Sequence, residues 1–368
     1  MTTQLDTAPA NDAAQSTHDP SEVEAFAGRL VGDIASTMTT IFCALGDKLG
    51  LFAALSSGGP ATAAELAQRS DTHERYVREW LHGLAAAGYL EYDRDTARYS
   101  LPAAHAAVLA DEGGLWFLAG GYQELAGMLP ALGRIEGAFR DGGGVPQAAY
   151  PNDAYIGMSR FTRAWFEHRL LGDWLPLFPD LEDRLKAGIR WADVGCGAGL
   201  AVIQLAQAFP ASTFTGYDAF PAQVERAREA AELAGVGSRV RFEVADGSRG
   251  LPEKYDVIST FDVVHDAADP AGLVAGIRRS LNDDGSYLWL EINCADDPAD
   301  NTGPIATVMY GFSILYCMTT SLAQGGAGLG TCGCPPAIVE ELGHTAGFGL
   351  VRELPIGDPF NRLYELRP

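Results

Sequence analysis

Asp193-Val-Gly-Cys-Gly-Ala-Gly199 is where the sequence first arranges residues that could do chemistry. A strand-like run from Ile189 to Val194 precedes it, and Leu200, Ile203, Leu205 and Ala206 follow at helical spacing, so it reads as strand, glycine turn and helix start. Gly195, Gly197 and Gly199 have no Cβ, which lets the backbone turn tightly against a ligand, and the new helix offers free N–H groups. Cys196 sits inside the turn, where a small side chain suffices. A dinucleotide turn has the spacing G-x-G-x-x-G; here the third glycine comes one position early, which weakens the nicotinamide reading. Asp218 ends the next strand, Thr213 to Tyr217, where a carboxylate can accept both hydroxyls of a ribose. Asp246-Gly247 ends a third strand, Val240 to Ala245, where it could meet an adenine amino group.

Two further residues close strands later in the chain. Tyr255 to Thr260 runs into Phe261-Asp-Val-Val-His265-Asp266, and Ser286 to Glu291 ends on Glu291. Open α/β sheets gather their chemistry at such strand ends. A neutral histidine accepts a proton near pH 7, and a carboxylate partner stabilises the imidazolium that results. Positioning these residues needs strands that alternate with helices from Ile189 onward, hence a Rossmann-like α/β sheet with helices on both faces.

Asp193 to Gly199, Asp218, Asp246-Gly247 and the strand Tyr255 to Thr260 resemble the motifs of the class I S-adenosylmethionine-dependent methyltransferases, over roughly the C-terminal half. The N-terminal part extends the resemblance to bacterial small-molecule O-methyltransferases that carry a winged-helix domain in front. The resemblance implies S-adenosyl-L-methionine as cofactor, held by Asp193, Gly195, Cys196, Gly197, Gly199, Asp218, Asp246 and Gly247. It implies His265 as general base, Glu291 as its orienting partner, and a small aromatic or apolar acceptor methylated on a hydroxyl. The chain departs from the pattern at three places. Ala267 replaces a tryptophan, Phe261 stands where many members have lysine, and no acid lies near Thr331 to Cys334. Methylation of carbon, nitrogen or sulfur by alignment alone is therefore the alternative, as is a cofactor-binding winged-helix regulator. No metal is expected; a site built from His265-Asp266 and His344, as in α-keto acid C-methyltransferases, is the rival arrangement.

The winged-helix reading has support in the residues themselves. Ile34, Met38, Ile41, Phe42 and Leu45 share one helical face between Ser21 and Leu55. Thr62 to Glu65 is a capping box, and Asp71 to Glu74 offers the same pattern. Val77, Trp80, Leu81 and Leu84 follow before Gly88, and Tyr89 to Tyr92 with Arg98 to Leu101 read as a hairpin. The would-be recognition helix interleaves Arg75 and Arg78 with Glu74 and Glu79. With 26 basic against 48 acidic residues the chain carries a net charge of −22, which repels nucleic acid and anionic membranes. A homodimer is implied by the resemblance, with no nucleic-acid or membrane partner.

At 368 residues two domains are expected. The division is a disordered tail over 1–20, a helical and winged-helix domain over 21–110, an aromatic linker and substrate cap over 111–184, and the methyltransferase domain over 185–368. The polar start without an apolar segment points to the cytoplasm. Six scattered cysteines read as free thiols, Cys332-Gly-Cys334 included. Pro304 to Ala323 runs about twenty residues without a charge; lying between strands of one sheet, it is expected as a buried helical cap. Gly325 to Gly330 follows no strand and is not a phosphate loop.

Overall fold

A computed structural model describes residues 18–368. Helix α1 (Pro20–Lys48) begins where Asp19 accepts a hydrogen bond from the Ser21 N–H and proline occupies the first turn. Of the expected tail over 1–20, residues 1–17 lie outside the described residues, while Asp19 and Pro20 belong to this helix start. The apolar spacing from Ser21 to Leu55 is divided in the structure. Gly50 takes φ 68°, and the chain bends by 69° into α2 (Leu51–Gly58).

Helix α3 (Ala63–Arg69) carries the capping box, with the Thr62 side chain on the Glu65 N–H and Glu65 on the Thr62 N–H. The second expected box does not form. Asp71 falls in the left-handed region at φ 51°, and α4 (Glu74–Ala86) is capped instead by the His73 ring, which accepts from the Arg75 N–H. The hairpin β1 (Glu91–Asp93) and β2 (Arg98–Ser100) is antiparallel. Phe52, Leu66, Trp80, Leu81 and Leu84 join these pieces in one core.

Helices α5 (Ala103–Leu109), α6 (Gly120–Met128), α7 (Leu132–Asp141) and α8 (Asn152–Trp165) lead on to a π-helical stretch, Phe166–Trp174, and α9 (Leu181–Ala187). Glycines bring α6 and α8 together. A Cβ on Gly157 would lie 2.1 Å from the Glu124 nitrogen, and one on Gly127 2.3 Å from that of Ala154. No real Cβ sits so close, so α6 has one seat on α8.

The sheet then forms: β3 (Arg190–Val194), α10 (Leu200–Ala208), β4 (Thr213–Asp218), α11 (Pro221–Leu233), β5 (Val240–Val244), β6 (Tyr255–Phe261), α12 (Pro270–Ser280) and β7 (Leu281–Ile292). It is followed by α13 (Gly303–Phe312), a π turn at Ser313–Cys317, α14 (Met318–Ala323), α15 (Pro336–Thr345), β8 (Leu350–Leu354) and β9 (Asn361–Arg367). The strand order is β5-β4-β3-β6-β7-β9-β8; β3 to β7 run parallel, and β9 and β8 close the edge antiparallel. Buried side chains alternate between two cores. Trp191, Phe214, Val257, Leu288 and Leu363 face one layer, and Ala192, Tyr217, Ile258, Trp289 and Tyr364 the other. This is the period of a sheet covered on both faces.

The uncharged stretch from Pro304 to Ala323 is helical and is a cap only in part. Its second half is embedded: Thr319, Thr320 and Ser321 are buried, the Thr319 hydroxyl accepts from the Val145 N–H, and the Ser321 hydroxyl donates to the Ala267 carbonyl. Its first half is not buried as expected, for Ile305, Val308, Tyr310 and Ile314 are exposed. Gly303–Ala323 is long and apolar enough to cross a membrane by length and composition, with 39% of its most apolar window buried. Buried hydroxyls hydrogen-bonded into the fold are the mark of a core helix.

Candidate active site

The glycine turn is tied to the strand beside it. The Gly195 and Cys196 N–H groups both donate to the Tyr217 carbonyl, at 2.7 and 3.0 Å, and the Gly197 N–H donates to the Asp218 carboxylate at 3.0 Å. All three glycines have positive φ, from 52° to 77°. A Cβ on Gly195 would strike Val263 and one on Gly199 would strike Phe242, whereas Gly197 faces open space. The turn is thus packed on its inner side and open on its outer side, as a cradle for an adenosyl group would be.

Asp218 closes β4 with its other oxygen on the Phe220 N–H at 2.8 Å, and each oxygen keeps a lone pair for a ligand hydroxyl. Burial raises its pKa, although these two N–H groups oppose the rise. Asp193 sits beneath the turn, 3% exposed, accepting from the Ser259 hydroxyl at 2.7 Å; Ser259 in turn accepts from Trp191 Nε1. Burial and the nearby Asp218 charge push Asp193 up to about 7. Cys196 is buried beside the turn, and its thiol is raised by that burial and by Asp218. Asp246 is exposed and caps a short turn through the Ser248 N–H. Gly247 is packed for another reason, since a Cβ there would lie 2.7 Å from both Leu273 and Val194.

His265 and Glu291 meet at the same sheet edge. The Nδ1 of His265 hydrogen-bonds Glu291 Oε1, and Nε2 lies 3.1 Å from Asp266 Oδ1. Glu291 is wholly buried and fixed, accepting from Trp289 Nε1 and from the Ile292 N–H. Burial disfavours the charged imidazole, but the Glu291 and Asp266 carboxylates outweigh it and hold His265 well above its usual 6.5.

Three residues at this centre went unread in the sequence. Asp262, at φ 55°, accepts from Asn361 Nδ2 at 2.7 Å, and burial together with Glu291 pushes it up to about 8. Glu124 reaches in from α6, 5% exposed, and burial reinforced by Asp266 pushes it up to about 8. Cys317 comes from the π turn, and its sulfur, a His265 nitrogen and an Asp266 oxygen lie within 4.8 Å of one another. The rival metal partner His344 is not there; it lies in α15 with its Nδ1 against the Phe348 carbonyl. A lone carboxylate among the glycines and apolar residues of Ala119 to Leu132 was the one signal that could have singled out Glu124.

The aromatic linker walls this edge. Phe261 packs against Phe166 and Trp174, with centroids 5.3 and 6.2 Å away. Tyr155 and Tyr316 meet edge to face at 6.1 Å, and Tyr150 joins Tyr316 at 5.2 Å. Trp116, in contrast, is exposed. A surface cavity of about 350 Å³ lined by Asp180, Arg184, Arg352 and Glu365 lies at the opposite edge of the sheet, where Glu365 engages the Arg352 and Arg367 side chains.

A family model described as a methyltransferase domain matches residues 192–287. Over those residues the chain therefore carries a methyltransferase domain, placed behind a winged helix. In particular, residues 37–111 match the model described as an Rv2258c-like winged HTH domain. A ubiquinone biosynthesis O-methyltransferase of Cereibacter sphaeroides is 30% identical over 106 residues, 29% of this chain and 42% of that protein. The chain spans less than half the length of the curated relatives it matches. Among solved structures, PigF with SAH superposes with a TM-score of 0.70 at 21% identity, covering 93% of this chain and 99% of that one. The mitomycin 7-O-methyltransferase MmcR gives 0.68 at 19% identity, covering 95% and 100%. At such identities the likeness shows the fold.

Proposed function

We propose that this protein transfers a methyl group from S-adenosylmethionine to a hydroxyl of a small, aromatic or apolar metabolite, with His265 as general base and Glu291 as the residue that orients it. The observation that carries the proposal is the buried His265–Glu291 pair at the strand edge that also holds the glycine turn and Asp218. When bound, the cofactor supplies a methyl on a sulfonium, which is already activated for in-line displacement. The protein supplies alignment and a dry site: Gly195 to Gly199 and Asp218 hold the adenosyl part, and the rings of Phe166, Trp174 and Phe261 exclude water. His265 takes the hydroxyl proton at Nε2 while Glu291 stabilises the imidazolium at Nδ1. That the relatives' names include O-methyltransferases supports the hydroxyl as acceptor. Incubation with methyl-labelled cofactor and a metabolite extract tests the proposal: label in a low-molecular-weight ether is expected, and label only on carbon or nitrogen would favour alignment without a base.

Cofactor binding has its own expected outcome. Asp218→Ala weakens it by about 1–3 kcal/mol, the worth of hydrogen bonds between a charged group and two hydroxyls, and also lowers the thermal midpoint, because the Gly197 and Phe220 N–H groups lose their acceptor. Calorimetric titration of the variant with S-adenosylhomocysteine measures this.

The working unit we propose is a homodimer joined through α1. Val23, Phe26, Leu30, Ile34, Met38, Ile41 and Leu45 follow one another at spacings of three and four, and all are exposed in the single chain. Such a stripe is the seam of a helix pair. Ile34→Glu with Met38→Glu is expected to give monomers at micromolar concentration in sedimentation velocity; an unchanged dimer places the interface elsewhere. The winged helix suits this role better than DNA, because Arg75 pairs with Glu79 and Arg78 with Glu74 along α4. All six cysteines are unpaired, the state a reducing compartment maintains, which supports a cytoplasmic setting.

A further inference from the structure

We propose that the methyl acceptor carries a basic nitrogen, and that the Glu124 and Asp266 carboxylates seat it as an ammonium beside His265. The inference rests on the methyl-transfer reading above and narrows its substrate class. Among the described residues, the Glu124 carboxyl has no hydrogen bond or ion pair, although the residue is 5% exposed and Asp266 is the charge acting on it. Its backbone cannot retreat, because α6 is pinned on Gly157. Asp266 repeats the pattern in part: its buried Oδ1 has no well-aligned hydrogen-bond partner, and its one near neighbour is His265 Nε2 at 3.1 Å. Buried polar groups are normally satisfied, and an unpaired buried acid is costly.

The charges around this point are unbalanced. Asp262, Asp266 and Glu291 surround one imidazole, Glu124 adds a further acid beside Asp266, and no lysine or arginine is among the charges acting on Glu124 or Asp262. Without a cation, burial holds the proton on Glu124 up to about pH 8; an arriving ammonium lets it ionise and pair. Tyr316 lies within reach of the Asp266 charge and meets Tyr155 edge to face, while Tyr155 already carries the Arg226 guanidinium over its ring, so Tyr316 is the ring in this corner that can meet a cation. The consequence for the reaction is direct. An ammonium that draws Asp266 to itself removes one of the two carboxylates that hold the proton on His265, and Nε2 becomes a better base.

The test uses three probes of one skeleton on the full chain saturated with S-adenosylhomocysteine, in EDTA so that no metal ion bridges the site. They are dopamine, hydroxytyrosol with an alcohol in place of the amine, and dihydroxyphenylacetate. Calorimetric titration is expected to show dopamine binding about 10- to 100-fold tighter than hydroxytyrosol, with the carboxylate weakest, as charge-assisted hydrogen bonds require. Glu124→Gln and Asp266→Asn should each bring the dopamine-to-hydroxytyrosol ratio towards one while the affinity for S-adenosylhomocysteine stays as it was. Dopamine without an advantage in the wild type, or an advantage that survives both substitutions, overturns the inference. Failure of S-adenosylhomocysteine to bind strikes the methyl-transfer reading instead, whatever the order of the probes.

Discussion

His265→Ala lowers turnover by about 10²–10⁴-fold, the usual contribution of a positioned base, and leaves the affinity for S-adenosylhomocysteine nearly unchanged. The ring follows a different strand from the glycine turn, and its contacts go to Glu291, Asp266 and Cys317, not to the turn or Asp218. The pH profile separates a base from a structural histidine. Glu291 and Asp266 raise the imidazole pKa well above 6.5, so the proton-accepting form gains population only as pH rises beyond neutrality. Wild-type turnover should therefore climb with pH on the alkaline side of 6.5, and the variant's residual rate should lack that limb. Glu291→Gln should lower turnover less, since the ring keeps its place while the imidazolium loses its anion. Turnover in His265→Ala equal to the wild type would mean that the acceptor is activated without this residue.

Glu124→Gln stabilises the protein at alkaline pH by roughly 3–5 kcal/mol relative to its effect in acid. The ordinary glutamate value is 4.5 and burial raises Glu124 to about 8. Between these values the unfolded chain releases the proton and the folded chain keeps it, so wild-type stability falls as pH rises through this window and the full penalty is present above about 8. Glutamine is neutral throughout and bears no such penalty. Asp193, Asp262 and His265 also have raised values and drive stability in the same direction, so the difference between variant and wild type isolates Glu124. Urea denaturation at pH 5 and pH 9 measures it. A difference that does not change with pH would mean that Glu124 ionises at its ordinary value.

How much of this was legible in the sequence follows from the range of the interactions. Strands that carry Asp193, Asp218, Glu291 and the residues before His265 at or near their ends are written in local patterns, a run of apolar residues and then a turn, so their shared edge could be read without knowing any contact. The capping box at Thr62 was legible for the same reason. Asp71 looked like a second cap, but a left-handed backbone after α3 turned it away and passed the cap to His73. Glu124, Asp262 and Cys317 were invisible because they reach the site from α6, a positive-φ turn and a π turn. Only the packing of α6 on α8, set by Gly127 and Gly157, brings Glu124 to Asp266. Burial was the other unreadable quantity. The same apolar spacing leaves α1 and the first half of the Pro304–Ala323 stretch exposed and embeds the second half, because hydrophobic period fixes which residues share a face and not what covers it.

Isothermal titration of the full chain with S-adenosylhomocysteine, with NAD as the comparison, bears most directly on the cofactor turn and Asp218. Saturable binding of one molecule per chain, without a response to NAD, is the predicted result. Binding of NAD and none of S-adenosylhomocysteine would contradict it.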